Sequence, residues 1–458
     1  MLSGEYNFLV DNLWLTQMIA VVLLIIPFFL IFADKKWIFG FYVVSIVANL
    51  PLIFVMAFGF SYELIIALAT IIVICKDLLR NKNLLLLSTK ESRAVIIALF
   101  GVLALNLLTS FANFSRNHFF ERSFIYLVNI FVLLVFSYFL VNRERLQVIR
   151  YAFVIGALIL VFTMLVELVY GYYYLGVYRL RPAGLLLDPN VAAFTLNLSL
   201  LLSFYRPKKT KLLTDIFFIS ARILIIFGIF LTVSRSGYLS TLLILALFLV
   251  YYSKGKKRYL APTTVFVIIL IYFLFFNFIQ ASLDTVYRMI DLQRIFPRSV
   301  PPAVPGPTPA PSISIPETIF SDSRFELLKA GIKVFLNNYI LGVGIGNITG
   351  EIYNLTGMPM NTHNLVLQLL GESGIFMLGT LLIFFYYLVQ LIVKSEKKQK
   401  FFLSLIFLVI VLESFFNHNL LNVNIIYLML AFFLALNILF SREQTVLSLA
   451  KIINKKKR

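Results

Sequence analysis

The sequence predicts an all-α protein: a polytopic membrane helix bundle of about 12–13 transmembrane helices with a large extracytoplasmic loop. Three observations predict it. First, of 458 residues 60% are hydrophobic and only 13% charged, with a mean hydropathy of +0.93. A soluble domain carries about 25% charged residues. Second, apolar runs of about 17–25 residues, long enough for a helix to cross a bilayer, recur between polar breaks. Third, the breaks alternate in charge. Those at 34–36, 76–93, 142–150, 206–211, 254–258, 394–400 and 451–458 are dense in Lys and Arg. Those at 59–63, 114–122, 171–189, 234–235, 281–362 and 417–422 are not. Positive charge stays on the cytoplasmic side, so the first set faces inward. The C-terminus is then inside and the N-terminus outside.

Taken in order, the spans fall near 13–33, 37–58, 60–75, 94–113, 123–141, 151–170, 190–205, 212–233, 236–252, 260–280, 365–393, 400–418 and 423–440. Residues 1–12 contain no Lys or Arg, so the first run lacks the positive flank of a cleavable signal and reads as a span. Pro51 sits inside the second span, and only 59–63 divides it from the third. Arg222 falls near mid-membrane and is predicted to face the bundle interior or a cavity. The chain thus divides into transmembrane helices over 1–280, an extracytoplasmic loop over 281–362, further transmembrane helices over 363–440, and a basic cytoplasmic tail over 441–458.

Several functions are excluded or disfavoured. A single cysteine, Cys75, rules out an internal disulfide framework and a cysteine-built metal site. The three histidines, His118, His363 and His418, lack the spacing of a zinc pair, so no metal site is predicted. The net charge of +19 resides mostly in short loops between apolar runs, which argues for membrane orientation and against a nucleic-acid partner.

The loop over 281–362 is the polar centre of this apolar chain. Eight of its residues between 297 and 316 are prolines, predicting an extended, mobile spacer. After it, Ser321–Asn337 reads as an amphipathic helix capped by Ser321 or Asp322, with Phe325, Leu328, Ile332 and Phe335 at helical spacing. Arg324 lies in its first turn. Leu341–Asn347 then carries glycine at 342, 344 and 346, which suits a tight backbone turn or close approach to a ligand. It matches neither a Walker loop nor a dinucleotide fingerprint. The loop ends at His363-Asn364.

Four outward-facing clusters can converge. They are Arg179–Gly184 with Asp188-Pro189-Asn190; Ser234-Arg235-Ser236-Gly237; Asp322-Ser323-Arg324; and His363-Asn364 with Glu372. Arginine's planar fork pairs with phosphate and keeps its charge. Several arginines around one pocket suggest a diphosphate. Histidine titrates near neutral pH and suits a general base. Together they fit attack by an acceptor hydroxyl on a sugar carbon, with a lipid-linked diphosphate leaving. Plainer readings stand beside this one. Arg179 and Arg181 also fit interfacial snorkelling. Arg235 also fits an ordinary hairpin turn, Arg324 a pair with Glu326 or Asp322, and His363 a helix N-terminus without chemistry. His418 reads as structural or pocket-lining, and His118 as exposed.

The order Arg181-Pro-Ala-Gly…Asp188-Pro-Asn190, Ser234-Arg235-Ser236-Gly237, Arg324, Leu341-Gly-Val-Gly-Ile-Gly-Asn347, His363-Asn364…Glu372-Ser-Gly374 resembles the O-antigen ligase and O-antigen polymerase superfamily. The resemblance spans roughly 90–440 in layout and is most specific from Ser234 to Gly374. It implies a helical bundle of the GT-C type in a bacterial inner membrane, with its site facing the periplasm or exterior. It implies a glycan donor on undecaprenyl pyrophosphate, no cofactor, and metal-independent transfer with inversion. Arg235 and Arg324, with Arg181, would bind the pyrophosphate, and His363 would activate the acceptor. Asn190, Ser234, Asn364 and Glu372 are the remaining candidate substrate contacts. The acceptor is left open between glycan, lipid A–core and protein hydroxyl. A flippase or transporter of lipid-linked glycan is the reading from another class, favoured by Arg222 but not by the one-sided gathering of polar residues, nor by any internal repeat.

Overall fold

The computed structural model describes residues 12–32, 35–59, 70, 72, 89–112, 116–140, 143–170, 181–205, 212–252, 319–358, 360–417 and 423–439. The predicted spans 60–75 (apart from 70 and 72) and 260–280, the proline-rich spacer, Arg179, His418 and the basic tail lie outside these residues.

The described chain is all-α, with no strand among the described residues. Its helices are α1 Leu13–Phe32, α2 Lys35–Ala48, α3 Pro51–Phe58, α4 Lys90–Ala112, α5 Arg116–Leu140, α6 Arg143–Tyr170, α7 Pro189–Phe204, α8 Leu212–Leu231, α9 Arg235–Tyr252, α10 Ile319–Asn337, α11 Ile348–Thr356, α12 Leu365–Ser373, α13 Ile375–Lys394, α14 Lys397–Ser414 and α15 Asn424–Leu439. A 3₁₀ turn, Gly184–Leu186, precedes α7. Among these, α4, α5, α6, α8 and α13 contain stretches long and apolar enough to cross a membrane. The chain is therefore a multi-pass membrane protein.

Two predicted spans are broken. The run 37–58 is α2 and α3, bent by 74° at Asn49-Leu50, where Asn49 takes φ 52° and Pro51 opens the second helix. Proline is well tolerated at a first helical turn but not inside a helix. The run 365–393 is α12 and α13, interrupted at Gly374 with φ 70° and ψ −164°. The break coincides with the short polar run Gly371–Gly374, which the apolar length of the whole stretch 365–393 outweighed.

Helix α7 is the centre of the bundle. From Val191 to Ser203 every residue is buried, the polar Thr195, Asn197, Ser199 and Ser203 included. Buried polar groups are costly unless bonded. Asn197 Nδ2 donates to Gly237 O (2.9 Å), and Thr241 Oγ1 donates to Asn197 Oδ1 (2.8 Å), which fixes the register of α7 against α9. A Cβ at Gly237 would lie 2.5 Å from that of Ala193, so glycine permits the close crossing.

At the other end of α7 two arginines converge on one carbonyl. Arg150 and Arg222 each donate to Ser203 O at 2.8 Å, and Arg222 Nε also reaches Ser203 Oγ at 3.1 Å. Their guanidinium groups lie over Phe218 (3.5 Å) and Phe204 (4.2 Å) respectively. Arg222 thus faces the bundle, as predicted. Arg150 does not sit in a cytoplasmic loop as predicted. It lies within α6 and is 2% exposed.

The long pair α4–α13 sets the direction of the bundle. Lys394, at the end of α13, pairs with Glu91 at the start of α4. At the opposite end Ser373 bonds to Asn106 of α4. Helix α14 follows α13 after only Ser395-Glu396 and packs back along it. The start of α13 and the end of α14 therefore lie at the same end of the bundle, away from Lys394.

Candidate active site

The candidate residues gather in two groups. The first is built on the loop before α7 and the turn before α9. Asp188 caps α7, its Oδ1 accepting from the Asn190 N–H at 2.7 Å and the Val191 N–H at 3.4 Å. This arrangement puts the Asn190 side chain at the helix entrance. Asn190 Oδ1 accepts from Arg181 Nη2 (3.1 Å) and from Ser234 Oγ (2.9 Å). Arg181 Nε also donates to Thr232 O at 3.1 Å. Arg181 is thus a strut joining the two segments and does not simply snorkel. Ser234 is fully buried, and its Oγ accepts from the Gly237 N–H (3.3 Å), capping α9. Val233, just before it, takes φ 48°. That conformation is costly for a β-branched residue and persists only where its surroundings impose it. Arg235 is the first residue of α9 and is exposed.

Asp188→Ala should cost about 1 kcal/mol of stability through loss of the cap. It should also lower activity by loosening Asn190 and, through it, Arg181. Thermal unfolding and turnover of the same preparation check both.

Two carboxylates that the sequence reading passed over hold this group from below. Glu167 of α6 is buried, and its Oε2 accepts from the backbone N–H groups of Ala183 (2.9 Å) and Gly184 (2.7 Å). It anchors the segment that carries Arg181. Glu413, at the end of α14, is buried and accepts from Ser240 Oγ of α9 at 3.0 Å. Both are carboxylates inside apolar runs. The rule that such residues are costly and therefore purposeful could have found them.

The second group is built on the glycine run and α12. His363 is half-buried and holds φ 51°. Histidine is among the side chains enriched in that left-handed region, which is nonetheless sparsely used. Its neighbours bracket it. Thr362 Oγ1 donates to Asn364 O (2.9 Å), and Asn364 Oδ1 accepts from the Leu367 N–H (2.9 Å), capping α12. Glu372, buried at the other end of α12, accepts through Oε1 from the Gly346 N–H (3.1 Å) and from Gln368 Nε2 (3.0 Å).

The strap Leu341–Asn347 is tied down largely through its backbone. Val343 N donates to Gly371 O and Gly344 N to Glu372 O, each at 2.9 Å. Ile345 N donates to Ser110 Oγ of α4 at 2.9 Å. The alternating glycines allow this approach. Gly342 has φ 70°, and a Cβ there would overlap the Glu372 backbone. Glu372 and Asn364 are thus seen first as framework for the turn that presents His363.

Helix α10 begins at Ile319, earlier than the predicted cap, so Arg324 lies in its second turn. Arg324 is seven residues, or two turns, before Gly331 on the same helix face. Gly331 is where α10 meets Thr362 and Leu367. The stripe Phe325, Leu328, Ile332 and Phe335 is not the face that packs most closely, and Leu328 and Phe335 are half-buried at its edge. Leu327, Ala330 and Val334 are buried, whereas Phe325 and Ile332 are exposed.

Both groups stand at one end of the molecule. Glu413, one residue from the end of α14, touches the first group through Ser240. Gly374 and Ile375, at the start of α13, adjoin the second. Those two helix ends coincide. Buried arginine-bonded polar groups, an exposed arginine at a helix start and a histidine with positive φ thus share the end of the described bundle remote from Lys394.

A family model described as O-antigen ligase matches residues 221–385. The matched region contains Ser234, Arg235, Arg324, His363, Asn364 and Glu372, and it begins beyond Arg181 and Asn190. No curated protein sequence matches the chain.

Proposed function

We infer from the match over residues 221–385 that this chain belongs to the O-antigen ligase and polymerase superfamily. From that premise we propose that it transfers a glycan from undecaprenyl pyrophosphate to an acceptor hydroxyl at the outer face of a bacterial inner membrane. In this reading His363 removes the acceptor hydroxyl proton as the oxygen attacks the anomeric carbon. The bond from that carbon to the diphosphate breaks, and the electron pair leaves with undecaprenyl pyrophosphate. The configuration inverts, and the step draws on no metal. Arg235 and Arg324 stabilise the charge that builds on the leaving diphosphate. Arg181, braced by Asn190 and Ser234, supports the same end of the group. Glu372 and Asn364 hold the turn that aims His363.

The observation that carries this reading is the meeting of two sequence-distant groups at one end of the α13–α14 hairpin, opposite Lys394. A glycan ligase or polymerase is the reading, with lipid A–core or a second lipid-linked glycan as acceptor.

Purified protein, undecaprenyl-pyrophosphate glycan and competing acceptors test it. Release of undecaprenyl pyrophosphate with a ladder of longer lipid-linked glycans identifies a polymerase. A single transfer to lipid A–core identifies a ligase, and transfer to Ser or Thr a protein glycosyltransferase. Movement of intact donor across a bilayer without cleavage would replace the reading with a flippase.

Arg235→Ala should lower kcat/KM by about 10–100-fold, the equivalent of one charge-assisted hydrogen bond of about 1.5–3 kcal/mol. Arg235→Lys should recover only part of this, because a point charge lacks the paired geometry. Initial rates over a donor series check it, and equal rates for the three proteins would remove Arg235 from the site.

A further inference from the structure

The exposed side of α10 is unlike that of a helix meeting water. Phe325, Ile332 and Leu336 are 59%, 44% and 61% exposed. At about 100° per residue they fall within some 40° of one another, forming one stripe. Leu328 and Phe335 are half-buried along one edge of it. Lys329 and Lys333 lie along the other edge, and Lys329 Nζ sits 4.3 Å over the Phe325 ring. The opposite side of the helix, Leu327, Ala330 and Val334, is already occupied by the protein. The helix is therefore apolar on two faces.

The end of α10 is fixed at the lipid boundary. Tyr339 O accepts from the N–H of Ile375, the first residue of the membrane-spanning α13, at 2.7 Å. Ile375 and Phe376 are exposed on that helix, as lipid-facing residues are. Tyr339, Ile340 and Leu341, which directly follow α10, are exposed beside them. Tyrosine with aliphatic neighbours at this depth is the composition of a membrane interface. Exposed apolar residues at the start of α13 and directly after α10 are thus brought together by this backbone bond.

We propose that α10 is an interfacial helix that lies on the outer leaflet. Its Phe325–Ile332–Leu336 stripe enters the acyl boundary, and Lys329 and Lys333 meet lipid phosphate groups. Apolar stripes flanked by lysines bind interfaces in this way, with the lysine stems buried and the ammonium groups at the phosphates. The bilayer then covers the second apolar face. It also holds the helix that carries Arg324 at the depth of lipid headgroups. The proposal does not depend on the reaction assigned above, since lipid docking is read without turnover.

The full chain with Cys75→Ser, carrying Ile332→Cys or Leu336→Cys labelled with the fluorophore NBD, tests it. The labelled proteins are placed in nanodiscs of phosphatidylethanolamine and phosphatidylglycerol. Both labels should be quenched severalfold more strongly by lipid bearing a doxyl group near the top of the acyl chain than by aqueous iodide. A label at Glu326→Cys, on the far side of the lysines, should show the reverse order. Lys329→Gln with Lys333→Gln should weaken lipid quenching in anionic discs and leave it unchanged in neutral ones. Iodide quenching at 332 and 336 would mean a water-facing helix and overturn the proposal. Protection from both quenchers would mean cover by protein and overturn it equally. All three labelled positions are exposed, so labelling leaves the packed face intact.

Discussion

His363→Ala is expected to lower kcat for glycan transfer by about 10²–10⁴-fold, the range that a positioned general base supplies, while leaving the protein folded. The expectation rests on the local build. His363 is held by its neighbours' bonds, Thr362 Oγ1 to Asn364 O and Asn364 Oδ1 to the Leu367 N–H. Its removal therefore leaves both helix α12 and its cap in place. The left-handed backbone complicates Ala, since a positive φ costs a residue with a Cβ. His363→Asn removes that difficulty, because asparagine adopts this region readily. If both variants lose turnover, keep the parent unfolding temperature and still bind donor, the loss is chemical. Normal transfer by either one would remove His363 as the base.

Gly374→Ala is expected to be among the most damaging single-methyl changes at the described glycines. At φ 70° and ψ −164° Gly374 occupies a region that is essentially glycine-only, costing about 1–3 kcal/mol for another residue. A Cβ there would also overlap the Ile340 carbonyl, which lies in backbone that cannot give way cheaply. The break orients α12 against α13, so strain at 374 reaches Glu372, the strap and the turn at His363 together. Unfolding temperature and turnover should both fall. Gly350→Ala is the control, because no atom lies within 4 Å of its Cβ and its φ is ordinary. In α11 it should be neutral, or stabilising by about 0.4–1 kcal/mol. Equal effects of the two substitutions would mean that Gly374 is not a structural pivot.

Much of the bundle was legible because lipid imposes simple rules. The predicted runs 94–113, 123–141 and 212–233 each fall on a helix within a few residues. Arg222 faces inward because an unpaired charge in lipid is costly. What escaped was decided by single residues or by competition between equal patterns. At Gly374 the polar run of four residues was too short to divide the apolar stretch 365–393 by length alone. In α10, Phe325-Leu328-Ile332-Phe335 and Leu327-Ala330-Val334 have the same helical period, and only the tertiary partner selects between them. Arg150 resembled an orientation charge because it follows Arg143 and Arg145, yet it is spent on Ser203 O. For the site, the motif order was readable, but the supporting roles of Glu167 and Glu413 were not, because their partners are backbone or serine groups far away in sequence.

The strap before α11 is joined to the bundle through its own main-chain N–H groups at Val343, Gly344, Ile345 and Gly346. Such joints are blind to the side chains they carry. Among its non-glycine positions Val343 and Ile345 are packed into the core and Asn347 Nδ2 donates to Val343 O, so Leu341 is the strap position whose side chain can change with least effect on the histidine-bearing turn.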